Sequence, residues 1–260
     1  MDNKKSKIAI LYVCTGKYEI FWKDFFCSYE KYFLSETEKH YYVFTDADRI
    51  YAQDECRRIH KIYQKNLGWP DNTLMRFHIF SKYFEELADY DYVFFMNANC
   101  QCVSSITEKE FLPIDEDILV VKHPGFYNKT NKEFTYDRNP KSTAYIPKGE
   151  GEYYVCGGVN GGKSKSFIKL MKKLMENIDK DKENNVIALW HDESQLNKYI
   201  SQYNNYKILS PSYCYPEGWD IPFEMKILIR DKSKWIDVSN IKNISFFKRI
   251  SDKIYQAIRK

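Results

Sequence analysis

Asn97-Ala98-Asn99 follows directly on the apolar run Tyr92-Val93-Phe94-Phe95-Met96. The run is short, continuous and rich in aromatic residues, which predicts a buried strand. Ligands of open α/β sheets sit just beyond the carboxyl ends of such strands. Polar side chains at the first and third positions of a strand tip point the same way and can share one ligand. Aspartates there would hold Mn²⁺ or Mg²⁺ on a nucleotide diphosphate, whereas a neutral amide oxygen is a far poorer ligand for a hard cation. Taken alone, the two asparagines are equally a strand-ending turn, because their side chains bond to local backbone.

A second group is His191-Asp192-Glu193, after Trp190. Asp192 with Gln195 three residues on has the form of a capping box, which predicts a helix with Asp192 as its N-cap. Glu193 precedes Leu196 and Asn197 by three and four residues, on the side that this helix buries. A carboxylate so placed can face a ligand and be held ionised by the helix N-terminus. His123 stands at another predicted strand tip, on the same edge as Asn97; a lone histidine there is commonly structural. Lys17 after Gly16 lacks the glycine spacing of a phosphate loop.

These residues need a scaffold. Strand-like runs fall at 8–13, 41–45, 92–96, 118–121 and 206–209. Between them Phe21, Phe25, Ser28, Tyr29 and Tyr32 share one helical face, Phe77, Phe80, Phe84 and Leu87 a second, and Phe167, Met171, Leu174, Met175 and Ile178 a third. Alternating strands and helices imply an α/β sandwich with a mostly parallel sheet. With no repeat and no Gly/Ser-rich linker, residues 1–240 read as one domain. Residues 122–162, dense in Gly, Pro, Tyr and His, are long enough between scaffold helices to be functional. In the tail, 241–260, Phe247, Ile250, Ile254, Ala257 and Ile258 lie at helical spacing among Lys and Arg. Such a basic amphipathic pattern fits peripheral contact with an anionic membrane, or a terminal helix packed on the domain.

Composition narrows the classes further. The 260 residues are 43% hydrophobic and include 22 Tyr and 17 Phe, enough for a large core with aromatics left to stack on bases or sugar rings. A net charge of +4 suits an anionic small molecule and is too weak to argue for nucleic acid. The seven cysteines, without metal-type spacing, read as reduced thiols of a cytoplasmic protein. The polar N-terminus leads straight into a strand, with no signal-peptide core.

The chain resembles glycosyltransferase family 6, the blood-group A/B transferases and α-1,3-galactosyltransferases. The resemblance rests on GKY at 16–18, HYYVFTD at 40–46, HPGFY at 123–127, FTYDRNP at 134–140, AYIPKGEG at 144–151, CGGVNGG at 156–162 and WHDESQLNKY at 190–199. It implies a GT-A fold and a retaining α-1,3 transfer of GalNAc or Gal from a UDP-sugar to the 3-hydroxyl of a galactoside, which in the blood-group enzymes is fucosylated. It further implies that Glu193 lies beside the anomeric carbon, as nucleophile or as stabiliser of an oxocarbenium-like transition state. By the same resemblance His191 and Asp192 meet the donor sugar, Val13, Thr15, Tyr18 and Arg76 surround UDP, and His123, Thr135 and Trp190 lie near the acceptor. Cys156 and Gly158, flanking Gly157, match positions that sort donors. Glycine at the second leaves room for an acetamido group and so implies UDP-GalNAc, while Cys156 departs from the larger Leu or Met of the family.

Three other departures carry expectations. Asn97-Ala98-Asn99 occupies the family's Asp-x-Asp position, which implies transfer without a divalent metal, with Arg76, Arg230 and Lys232 as the cations that meet the phosphate charge. Animal relatives carry an N-terminal membrane anchor that this sequence does not show, which implies a bacterial-type cytoplasmic enzyme. The acceptor carboxylate expected after Tyr213 is shifted to Glu217. Loss of both metal ligands also fits two other readings, a nucleotide-sugar-binding module without catalysis and a UDP-sugar hydrolase.

Overall fold

Residues 5–237 are described by a computed structural model. The basic tail at 241–260 lies outside the described residues. In chain order the elements are β1 (Lys7–Val13), α1 (Trp22–Tyr32), β2 (Glu38–Thr45), β3 (Ile59–Tyr63), α2 (Asp71–Leu74), α3 (Arg76–Ser81), α4 (Phe84–Leu87), β4 (Tyr92–Met96) and β5 (Cys100–Cys102). They continue with α5 (Glu108–Phe111), β6 (Ile118–Lys122), β7 (Val155–Lys163), α6 (Ser164–Glu183), α7 (Asp192–Ile200), β8 (Tyr206–Leu209), β9 (Tyr215–Pro216) and β10 (Ile227–Ile229).

The main sheet has the order β3-β2-β1-β4-β7-β6-β8. All neighbouring pairs are parallel except the two that involve β7, which runs antiparallel to β4 and to β6. The strands β1, β4 and β6 are buried almost throughout, as continuous apolar runs must be when helices cover both faces. On one face, Trp22, Phe25 and Tyr29 of α1 pack on Tyr12 and Tyr41; on the other, Phe77 and Phe80 of α3 and Phe167, Met171 and Leu174 of α6 pack on Leu11, Phe44 and Phe95. The result is an α/β/α sandwich of one Rossmann-like GT-A domain. A small sheet of β5, β10 and β9 lies beside the β4 tip.

The five strands expected from sequence all form, and Cys100 and Cys102 are alternate buried residues of β5. The second helical pattern is broken into α3 and α4, although Phe77, Phe80, Phe84 and Leu87 stay buried. The larger difference lies in 122–162. Its first part is loop around a satellite core of Phe134, Tyr136, Ile146 and Tyr154, but its end is β7, a central strand. The sequence hides β7 because glycine carries little strand signal. The fold needs glycine there: a Cβ on Gly161 would lie 2.3 Å from Phe94 Cδ1 and 2.4 Å from the Val93 carbonyl oxygen.

That closeness predicts that Gly161→Ala forces β7 away from β4 and costs about 2–3 kcal/mol of stability, as overpacking of a dense core does. Urea unfolding followed by circular dichroism measures it; a loss under about 0.5 kcal/mol, the range of a neutral surface change, contradicts the close contact.

Candidate active site

The chain turns sharply at the end of β4. The Asn97 N–H donates to the Gly158 carbonyl (2.8 Å), and the Cys100 N–H returns to the Asn97 carbonyl (3.0 Å). The two asparagines then part in function. Asn99 is buried, and its Nδ2 donates to the Arg230 carbonyl (2.7 Å) while the Arg230 N–H donates to the Asn99 carbonyl (2.9 Å), so Asn99 ties β5 to the C-terminal stretch. Asn97 stands over Gly158, where an added Cβ would come within 2.9 Å of Asn97 Nδ2.

A cleft of about 240 Å³ opens at this tip. Val13, Thr15 and Tyr18, after β1, form one wall, and Arg76, Asn97 and Asn99 form the floor. Lys232 reaches in from the C-terminal stretch, its ammonium 5.7 Å from the Tyr18 ring. A second hollow adjoins it, sharing Thr73, Arg76 and Asn97, and is lined by Gly157, Gly158 and the Trp190–Glu193 turn.

Arg76, which lines both, belongs to a buried ionic cluster. Arg76, on the first turn of α3, is 7% exposed; its guanidinium pairs with Asp192 (3.0 Å) and lies 4.0 Å over the Phe95 ring. Its Nη1 also donates to the Gly157 carbonyl (3.3 Å), while its Nε is buried without a hydrogen-bond partner. Glu193 accepts from the Gly157 N–H at Oε2 (2.7 Å) and from the Tyr154 hydroxyl at Oε1 (3.0 Å). Burial pushes the Glu193 carboxyl up to about 7, against the pull of these two donors and of Arg76. Burial likewise pushes Asp192 up to about 6, opposed chiefly by Arg76. The same burial lowers the pKa of Arg76, but a guanidinium keeps its charge in proteins.

The expected capping box does not form. The N-cap is His191, at φ 54° and ψ −124°, in the left-handed half of backbone space that glycine favours. That turn swings Asp192 into the ion pair with Arg76, and Gln195 instead donates to Thr143 Oγ1 and Asp181 Oδ2. A buried ion pair outcompetes a solvent-exposed cap because the carboxylate has nowhere else to find a counter-charge.

The remaining expected residues divide. His123 is held neutral, its pKa lowered to about 4 by burial, with Nδ1 accepting the Gly125 N–H (3.0 Å) and its ring edge-on to Tyr154 at 5.6 Å. Thr135 hydrogen-bonds to the Tyr154 hydroxyl, and Trp190, 39% exposed, stands at the mouth. Cys156 is buried next to Gly157, its free thiol beside the free thiol of Cys214. Two residues are engaged elsewhere. Arg230 pairs with Asp24 (2.8 Å), is stacked on Trp235 and does not line the cleft, whereas Glu217 accepts from the Asp231 N–H (2.6 Å) and Lys234 (2.8 Å). Trp69, Thr73, Phe95 and Tyr154 also line or brace the site, and nothing in their local sequence marks them. Among the described residues no group of three or more His, Cys, Asp or Glu is placed to hold a metal ion. Asn97 and Asn99 offer only neutral oxygens, a donor set that does not fit a tightly bound hard cation.

The cleft lies beyond the carboxyl ends of the strands of this α/β/α domain and adjoins a buried cluster of two acids and an arginine. The family model described as Glycosyltransferase family 6 matches residues 2–243. The chain is 37% identical over 235 residues to the O-antigen biosynthesis glycosyltransferase WbnI of Escherichia coli, covering 90% of this chain and 99% of that protein. It is 30% identical over 223 residues to histo-blood group ABO system transferase 1 of Rattus norvegicus, covering 83% of this chain and 64% of the relative. It is 29% identical over 227 residues to globoside alpha-1,3-N-acetylgalactosaminyltransferase 1 of Gallus gallus, covering 85% and 65%. The protein belongs to glycosyltransferase family 6 and is a hexosyltransferase, working between a nucleotide-sugar donor and a glycan acceptor. No helix among the described residues is long and apolar enough to cross a membrane.

Removing the arginine tests the ionic cluster. Arg76→Met leaves Asp192 buried without its counter-charge and costs about 3 kcal/mol or more at pH 8, as breaking a buried pair does. The cost shrinks at pH 5, because Asp192, already at about 6, then takes up a proton and is neutral. Urea unfolding of both proteins at the two pH values checks the sign; an equal loss at pH 5 and pH 8 contradicts it.

Proposed function

We propose that the protein transfers GalNAc from UDP-GalNAc to the 3-hydroxyl of a galactoside, fucosylated as in blood-group A acceptors, with retention at the anomeric carbon and without a divalent metal. The observation that carries the reading is the position of Glu193, fixed at both oxygens by Gly157 and Tyr154 in the hollow that continues the nucleotide-sized cleft. On this reading the uridine rests against Val13, Thr15 and Tyr18, and the diphosphate lies between Arg76 and Lys232. The hexose then falls on Gly157 and Gly158, and the acceptor enters past Trp190, His123 and Thr135.

As the bond from the anomeric carbon to the diphosphate oxygen breaks, its electron pair leaves with UDP and positive charge grows on the sugar ring. Glu193 answers that charge, as nucleophile or as counter-ion, and the acceptor oxygen then bonds the anomeric carbon on the original face while its proton passes to the departing diphosphate. Negative charge grows at the same time on the departing diphosphate. The buried Nε of Arg76 has a donor to offer there, and Lys232 supplies a second cation. A prepaid array of donors in a site of low dielectric does what a metal does elsewhere. The choice of GalNAc over Gal rests on the family resemblance at Gly158, not on open space, since the Asn97 amide already stands 2.9 Å from where a Cβ would lie.

The test is UDP release from UDP-GalNAc, UDP-Gal and UDP-Glc in EDTA, with and without a 2-fucosylated galactoside. Acceptor-stimulated release from UDP-GalNAc supports the proposal. A requirement for Mn²⁺ removes metal independence, release without acceptor stimulation identifies a hydrolase, and binding without release identifies a binding module. Since Glu193 acts as a carboxylate, turnover rises with pH along an acid limb near 7. Glu193→Gln lowers turnover at least about a hundredfold while leaving UDP binding intact, within the range of general catalytic groups. Full turnover by this variant refutes the role of Glu193.

A further inference from the structure

Glu193 must be both buried and ionised to act, and burial works against the charge. Among the described residues, the side-chain hydroxyl that donates to it is that of Tyr154, a residue just ahead of β7 that is 3% exposed. Tyr154 has little freedom to do anything else. Its ring is packed by Phe126 (4.6 Å), Tyr136 (5.4 Å), His123 (5.6 Å) and Phe134 (6.0 Å), and its oxygen receives a hydrogen bond from Thr135. The aromatic nest thus aims one phenol at one carboxylate oxygen, while the Gly157 N–H takes the other.

We infer that Tyr154 is a positioning residue for the transfer, holding Glu193 in a single orientation and favouring its charged form. The inference rests on the role given to Glu193 above. A hydroxyl that donates to a carboxylate stabilises the anion and cannot donate in the same way once that oxygen is protonated. Other groups also face Glu193: Arg76 from α3, Asp192 from its own helix, the Cys214 thiol from the turn at 211–214 and His191 in the same hollow. Of these, Arg76, Asp192 and Cys214 act on Glu193 through charge rather than through a hydrogen bond to its oxygens. Thr135 and His123, which the acceptor approaches on the proposed reading, both lie against Tyr154, so this phenol links the acceptor side of the site to the reacting side.

The experiment is a carbon-13 titration of the Glu193 carboxyl in the full chain, wild type against Tyr154→Phe, paired with the pH dependence of turnover. The variant keeps the ring in its nest and loses only the donor. The expected result is a Glu193 midpoint higher by about one pH unit, the scale of one charge-assisted hydrogen bond. The acid limb of turnover moves with it, giving about a tenfold loss below the limb that is recovered at higher pH, and the KM for the UDP-sugar is unchanged. If Tyr154→Phe does not fold, 3-fluorotyrosine placed at 154 alone makes a stronger donor and lowers the midpoint instead. A midpoint that does not move overturns the inference whatever Glu193→Gln does. A moved midpoint in a protein whose Glu193→Gln form turns over fully leaves Tyr154 governing Glu193 and refutes instead the function assigned to Glu193.

Discussion

The Gly157 peptide is the joint on which the site depends. Its N–H is committed to Glu193 on α7, and its carbonyl takes donors from Arg76 on α3 and from Asn160 Nδ2 on its own strand (3.0 Å). Three elements distant in sequence are thereby registered at one backbone unit. A side chain at this joint would press on Glu193, because a Cβ on Gly157 would sit 3.2 Å from the Glu193 Cβ and Glu193 would have to give by a few tenths of an ångström. The antiparallel strand β7 is the device that brings this peptide to the carboxyl end of the parallel strands, beside the tip of β4.

Around that joint the electrostatics are those of a dry site. Two adjacent acids and one arginine share a buried cluster, and removing water from them makes each partner indispensable to the others. The acids bind protons more readily than in water, so the folded protein carries more protons here than the unfolded chain between their ordinary range near 4 and about 7. The cluster therefore adds stability at low pH and loses it as the pH rises through 6 and 7, whereas the carboxylate that chemistry needs appears over the same interval. Stability and activity are opposed at Glu193, as expected for a group placed for its reactivity.

The loop from His123 to Tyr154 is held by a comparable economy of contacts. Asp181, buried at the end of α6, accepts from Ser142, Thr143 and Gln195, and Asp137 accepts from the Asn139 and Leu189 N–H groups. These two carboxylates fasten the loop to the connection that carries Trp190 and His191. The strained turn at His191 is over-determined by its neighbours, since the His191 N–H reaches the Ala188 carbonyl and the Trp190 N–H reaches Ser194 Oγ. Phe126, Phe134, Tyr136 and Tyr154 fill the remaining space.

What was legible in the sequence follows from locality. The strand ending at Met96, its polar tip, the strand before His123 and the buried-side placement of Glu193 depend on periodicities of two and 3.6 that any short window contains. The family followed from several motifs in order. The capping box at Asp192 was also a local reading, and it failed because a partner over a hundred residues away, Arg76, claimed the carboxylate. The partner of Arg230 was hidden for the same reason: its counter-ion Asp24 lies 206 residues upstream. Only the folded chain decided that Gly157 would join three elements, that Tyr154 would face Glu193, and that a glycine-rich segment would be a central strand. Those outcomes depend on which surfaces meet at distances of 2.7–3.3 Å, and closeness between remote segments is a property of packing that no local pattern encodes.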